Sequence, residues 1–195
     1  MGRTLRKPDH PIDRMFVERW SPRSFSRDEI SETTLLTMLE AARWAPSSFN
    51  AQPWRFIYAR RNSAAWPDLL SMMIEFNRSW AERAAALVLF VSASHLIQKG
   101  DRKTWPSHAF DAGSAWAGFA IQAHLLGWHT HAMSGFDHDA ARRVLAIPED
   151  FTPQALVAVG RLGPAEALPE HLRSREAPSD RLPLSAMAFE GRFKD

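Results

Sequence analysis

The sequence has no cysteine among its 195 residues. That absence excludes disulfides, thiolate metal sites, iron–sulfur ligation and a cysteine nucleophile together. It fits a reducing compartment, and a cytoplasmic location is expected. Net charge is nearly absent as well: 24 Lys and Arg against 22 Asp and Glu leave a formal +2. No whole-chain field therefore points to nucleic acid or an anionic membrane as a partner, although the arginine bias leaves room for a local anion site. The opening run, residues 1–8, is charged and leads into no apolar segment, so neither a secretory signal nor a membrane span is expected.

Several signatures of catalysis are missing too. There is no G-x-x-x-x-G-K-[ST] and no G-x-G-x-x-G behind a strand, which argues against ATP hydrolysis and a Rossmann cofactor site. Gly113-Ser114 does not supply a G-x-S-x-G elbow for a serine nucleophile. His124, His129, His131 and His138 are crowded but form no H-E-x-x-H, so no metal is expected and surface or structural roles are assigned to them.

What is present is a mixture of helical and strand patterns without a strict βαβ rhythm, which favours an α+β fold in a single domain. Helical spacing runs through Ile12–Trp20 and again through Ser31–Ala45, where Pro46 stops it. Trp54–Tyr58 reads as a strand, Ala64–Trp80 as a helix, and the apolar run Leu87–Val91 as a strand buried on both faces. His108–Leu126 is a long helix dense in Ala, Gly and Ser, suited to close packing at the centre of the core or of a subunit interface. A strand over His129–Met133 leads to a helix capped by Asp137 or Asp139 and ended by Pro148, and Leu156–Val159 gives a last buried strand. The tail, residues 164–195, is rich in Pro and charge and makes no core of its own; it is either disordered or wrapped on something else.

Two segments carry chemistry. In Arg19-Trp20-Ser21-Pro22-Arg23 two guanidinium groups and a hydroxyl are spaced so that alternate side chains of an extended loop point the same way. Such a loop is either a phosphate clamp or simply solvated. In Ala45-Pro46-Ser47-Ser48-Phe49-Asn50-Ala51-Gln52-Pro53-Trp54 hydroxyl and amide groups crowd a helix-to-strand connection. They suit the pyrimidine and ribityl edges of a flavin, or equally a set of Asx turns.

In this order and spacing the two segments resemble the R-x-S-x-R and A-P-S-S-x-N-x-Q-P-W motifs of the nitroreductase family of FMN enzymes. The resemblance continues through Asn77, Leu126-Gly127, Ser134-Gly135-Phe136-Asp137, Val159-Gly160 and Arg181-Leu182-Pro183, and so covers nearly the whole chain. It implies a central, mainly antiparallel sheet flanked by helices, in an intertwined homodimer whose C-terminal arm, residues 164–195, wraps the partner subunit.

By the same resemblance Arg19 and Ser21 hold the FMN phosphate or ribityl chain, with Arg181 as a second cation on the phosphate, and Trp20 is a further cofactor-binding residue. Arg23 lies near flavin N1 and the C2 carbonyl, where a fixed positive charge stabilises the reduced ring. Asn77 meets the pyrimidine edge, the backbone at Ser134 and Gly135 meets N5, and Met133 is a further cofactor-binding residue. Ser47, Ser48, Phe49 and Asn50 reach the flavin of the partner, and Gln52 is a further cofactor-binding residue. Trp80 stands where some relatives carry a lysine, and is either a core aromatic or a flavin contact.

The chemistry implied is a ping-pong transfer of hydride from NAD(P)H through flavin N5 to small electron-poor aromatic acceptors such as nitroaromatics or quinones. No side-chain acid is required. The alternatives are a flavin carrier or redox sensor without turnover, or a specialised relative that fragments its flavin or dehalogenates an aromatic ring.

Overall fold

The computed structural model describes residues 6–98 and 100–194. Its centre is set by the strand with no polar face. All eight residues of β2 (Ala86–Ala93) are buried, so it needs strands on both sides and helices on both faces. β1 (Trp54–Arg60) pairs with it on one side and β6 (Phe151–Gly160) on the other; β5 (His129–Met133) pairs with β6. The order is β1-β2-β6-β5, and every pairing is antiparallel.

Side-chain alternation along β2 divides the core. Val88 and Phe90 join Val157 and Val159 on one face, covered by α2 (Glu32–Arg43) and α5 (His108–Leu125) through Leu35, Met38, Ala42, Ala115 and Phe119. Leu87, Leu89 and Val91 join Leu156 and Ala158 on the other. There they meet Leu69 of α3 (Trp66–Ser71), Trp80 of α4 (Glu75–Ala81) and Ala141 of α6 (His138–Val144). The small residues of α5 serve one close approach within the chain, because a Cβ on Gly118 would lie 3.0 Å from the Ala41 carbonyl oxygen. The same helix leaves Phe110 and Leu125 exposed.

The sequence pattern and the structure differ in five places. The single helix read over Ala64–Trp80 is two, broken at Met72–Ile74, where Met72 O accepts from Asp137 N at 2.7 Å and Met73 bridges Phe136. β6 begins five residues before Leu156, carrying Pro153 beside a register shift opposite Phe90/Val91, a place where a missing N–H does no harm. The helix after Asp137 ends at Val144 rather than at Pro148, and Ala146 turns the chain with φ of 51°. A hairpin of β3 (His95–Gln98) and β4 (Asp101–Thr104) was not legible, since β4 is exposed and charged throughout. Finally, the tail is not coreless from residue 164: Leu168 and Leu172, the latter in α7 (Glu170–Arg173), are buried against this chain's own sheet.

Candidate cofactor site

The Arg19–Arg23 loop begins where α1 (Arg14–Glu18) stops, with Arg19 already extended. Its far end is pinned by Phe25, which is fully buried and forms a bridge to Leu162. The pin fits because Gly160 has no side chain; a Cβ there would sit 2.5 Å from Phe25 Cδ1. In between, His131 Nδ1 on β5 donates to the Pro22 carbonyl at 3.0 Å. The Glu176 carboxylate accepts from Arg23 N at 3.0 and 3.1 Å and from Ser24 N at 2.8 Å. The tail thus grips the loop from outside while the sheet grips it from beneath.

These constraints shape a cavity of about 520 Å³ lined by Arg6, Arg19, Trp20, Ser21, Arg23, His131 and the tail residues Ser174, Arg175, Ser179 and Arg181. Arg6 Nη1 donates to the carbonyls of Arg19 and Val17 at 2.9 and 3.1 Å and so backs the loop. Five guanidinium groups face one concavity. Burial, then the charges of Arg181 and Arg6, lowers the pKa of Arg19; burial and then Arg175 lowers that of Arg23. Burial, with Arg23 and Arg19 nearby, also pushes His131 down to about 4, against the pull of its bonds to the loop carbonyls, so its ring is neutral. A concave surface whose cations destabilise one another is built for a multivalent anion.

A second group of expected residues gathers around Gly135. Asn77, 9% exposed, donates from Nδ2 to the Gly135 carbonyl at 2.9 Å, and Ile74 N reaches the same oxygen at 3.4 Å. Gly135 has no room for a side chain: a Cβ would come within 2.7 Å of Asn77 Nδ2. Met133 is buried at the end of β5 and Ser134 is exposed. Trp80 lies fully buried, 4.7 Å from the His131 ring and beneath the Arg23 guanidinium, and is a core aromatic.

The third group stands apart. Ser47, Ser48, Phe49, Asn50 and Gln52 lead directly into β1, whereas the arginine cavity rests on β5, and these strands are opposite edges of the sheet. Three strand spacings, roughly 14 Å, separate the edges. Within one chain the structure does not bring this loop to the cavity. His131, Arg6 and Arg175, which line the cavity, and Glu176, which holds its loop, are among the residues that sequence reasoning missed. Only the arginine bias of the whole chain, which left room for a local anion site, pointed toward any of them.

The model of the nitroreductase family matches residues 17–161. The chain belongs to the nitroreductase family. Among its relatives is an NADH dehydrogenase of Thermus thermophilus, 30% identical over 89% of this chain and 92% of its own length. A solved structure of an oxidoreductase containing FMN superimposes with a TM-score of 0.96, at 44% identity, over 100% of this chain and 98% of that one. A nitroreductase family protein from Streptococcus pneumoniae shares the fold at a TM-score of 0.73 and 19% identity, over 90% of this chain and 98% of that one. This nitroreductase-family chain has, among its described residues, no helix long and apolar enough to cross a membrane.

Proposed function

We propose that the protein is an FMN-dependent oxidoreductase that moves hydride from NAD(P)H to small, electron-poor aromatic acceptors, with each complete site built from two copies of the chain. The observation that carries this reading is the convergence of Arg19, Ser21, Arg23 and Arg181 from both ends of the chain into one cationic cavity.

The residues present fit the cofactor. A phosphate monoester brings two negative charges and three acceptor oxygens, and Arg19, Ser21 and Arg181 supply charged and hydroxyl donors for them. Arg23 Nε is buried without a partner, a donor awaiting an acceptor such as the carbonyl edge of a flavin. Asn77 and Gly135, joined through the Asn77 amide and the Gly135 carbonyl, would meet the edge of a planar ring. The cavity has the size of a small-molecule site.

When bound, the flavin would supply hydride chemistry between NAD(P)H and the acceptor. The protein's part is to bind, orient and hold charge. Arg19, Arg181 and Ser21 anchor the phosphate; Arg23, with Arg175 beside it, keeps positive charge at the pyrimidine end. His131 stays neutral and holds the loop by the Pro22 carbonyl. Ser47–Gln52 completes the site of the second copy, and the exposed apolar tail residues Leu182, Leu184 and Met187 pack on that copy as an arm.

The test is to add FMN to purified protein, desalt, record the visible spectrum and titrate anaerobically with NADH or NADPH. Retained flavin bands that bleach with one nicotinamide support the oxidoreductase and identify its donor. Absence of retained flavin refutes the cofactor assignment, and retained flavin that never bleaches replaces the enzyme by a flavin carrier or sensor.

A further inference from the structure

The Ser47–Gln52 loop is held in a costly shape. Of five non-glycine residues with positive φ among those described, three lie here: Phe49 at 50°, Asn50 at 54° and Gln52 at 48°. Asparagine tolerates that region, but phenylalanine and glutamine resist it by roughly 1–2 kcal/mol each. The loop also projects Phe49 into solvent with 92% of its surface exposed. A strained loop that displays an aromatic ring persists only where its surroundings over-determine it.

Some of that constraint is internal. Gln52 N donates to Ser47 Oγ at 3.0 Å, and Gln52 Nε2 donates to the Asn50 carbonyl at 3.1 Å. The link to the rest of the molecule is Asp111, in the first turn of α5 and 2% exposed. Its Oδ1 accepts from Ser48 N at 3.3 Å. Its Oδ2 accepts from Trp105 Nε1 at 3.3 Å and from Ser107 Oγ at 3.1 Å. Trp105 in turn meets the Phe49 ring edge-on, with centroids 6.2 Å apart.

A buried carboxylate is an expensive way to fill space beside Ala112 and Ala115. Here three donors and the positive end of an 18-residue helix offset its desolvation. What the carboxylate gains for the molecule is a junction: one side chain fixes the loop backbone with one oxygen and the ring that braces Phe49 with the other.

We propose that Asp111 is a positioning residue that holds the Ser47–Gln52 loop in the form in which it completes the cofactor site of a second copy of this chain. The inference rests on the two-chain FMN site proposed above. Asp111 touches neither cofactor nor acceptor; it acts through Ser48 and Trp105, and it acts on the other subunit's flavin rather than its own.

The experiment compares wild type, Asp111→Asn and Asp111→Ala in FMN titrations followed by flavin fluorescence. It then forms mixed dimers by co-expressing Asp111→Asn and Arg19→Ala chains under two affinity tags. Both Asp111 variants are expected to bind FMN roughly ten- to a hundredfold more weakly, the scale of one lost charge-assisted hydrogen bond at a binding loop. In the mixed dimer the Asp111→Asn chain contributes an intact arginine cavity and the Arg19→Ala chain an intact loop. One site of two should regain flavin with near wild-type affinity. That rescue separates positioning in trans from general damage, which would spoil the variant's own cavity and prevent any regain.

Wild type that retains FMN beside an Asp111→Asn homodimer that retains it equally well overturns the role of Asp111 and leaves the cofactor reading standing. Mixed dimers without regain overturn it as well. Wild type that holds no FMN overturns the cofactor reading and this inference together. Where Asp111→Asn fails to fold, Trp105→Phe keeps the ring, removes one donor, and is carried through the same titration and the same rescue.

Discussion

Removing the Glu176 carboxylate sets two physical effects against each other. Taken as charge alone, Glu176 opposes an anion in the cavity, and Glu176→Ala should tighten FMN binding. Relief of repulsion on a dianion ~8 Å away is about 1 kcal/mol in water at low salt, where the Debye length is much longer than that separation. As a clamp, Glu176 accepts the N–H groups of Arg23 and Ser24 and thereby sets the direction of the loop that carries Arg19, Ser21 and Arg23. Two charge-assisted bonds at a half-buried site contribute about 2 kcal/mol to that order after water has replaced part of them. The clamp wins by about 1 kcal/mol, so Glu176→Ala should weaken FMN roughly fivefold. High salt screens the repulsion but not the loss of order, so at 0.5 M salt the deficit should grow to roughly thirtyfold. Glu176→Gln keeps an acceptor and loses the charge, and should fall between alanine and wild type. Fluorescence titration at two salt concentrations, with thermal unfolding as a control for folding, measures all of this. A Glu176→Ala protein that binds FMN more tightly than wild type refutes the clamp.

Burial holds both His129 and His131 at about 4, below their ordinary value near 6.5. Between those values the unfolded chain binds protons that the folded chain does not, so stability should be lost as pH drops through that window, by up to about 1.4 kcal/mol per unit for each ring. Above pH 6.5 these two groups contribute no slope. Urea denaturation at several pH values reads this directly, and a wild-type slope unchanged in His131→Asn would refute the assignment. Gly163→Ala would place a Cβ 2.7 Å from the Phe25 carbonyl carbon and 2.8 Å from Ser26 N, backbone that cannot retreat. It should cost about 2–4 kcal/mol in denaturant melts, and a wild-type midpoint would contradict the packing described. Gly135→Ala presses on Asn77 Nδ2 and Ile74 instead, side chains that can move. A smaller loss of about 1 kcal/mol should come with clearly weaker FMN binding, and unchanged affinity would remove the Asn77–Gly135 pair from the site.

The elements that the sequence announced are those whose burial pattern is strong. β2 is apolar throughout, α2 is capped by Ser31 whose side chain accepts from Thr34 N, and α6 is capped by Asp137. The break at Met72–Ile74 was hidden because Met and Ile are acceptable in a helix. What breaks it is a pairing with Phe136, sixty-odd residues away, that no local window contains. The cavity was half visible: Arg19, Ser21, Arg23 and Arg181 stood out by motif. His131 and Glu176 act through backbone groups of the loop, and such roles depend on tertiary placement and leave no mark of residue type or spacing. Asp111 belongs with them, an acidic residue in an alanine-rich helix whose partners lie in two other segments.

The tail's part in the cavity has a consequence for biosynthesis. The central sheet is complete once β6 ends at Gly160, but the outer wall of the cavity begins at Ser174 and closes at Arg181. A chain emerging from the ribosome can therefore lay down its core, and hold the Arg19–Arg23 loop from beneath, before the tail can grip that loop from outside. Cofactor capture is consequently a late event, coming after translation has passed Arg181. A product truncated near Ser174 would keep the whole sheet yet lack Arg175, Glu176 and Arg181. Such a fragment should emerge colourless, which makes bound flavin a marker of translation through the tail.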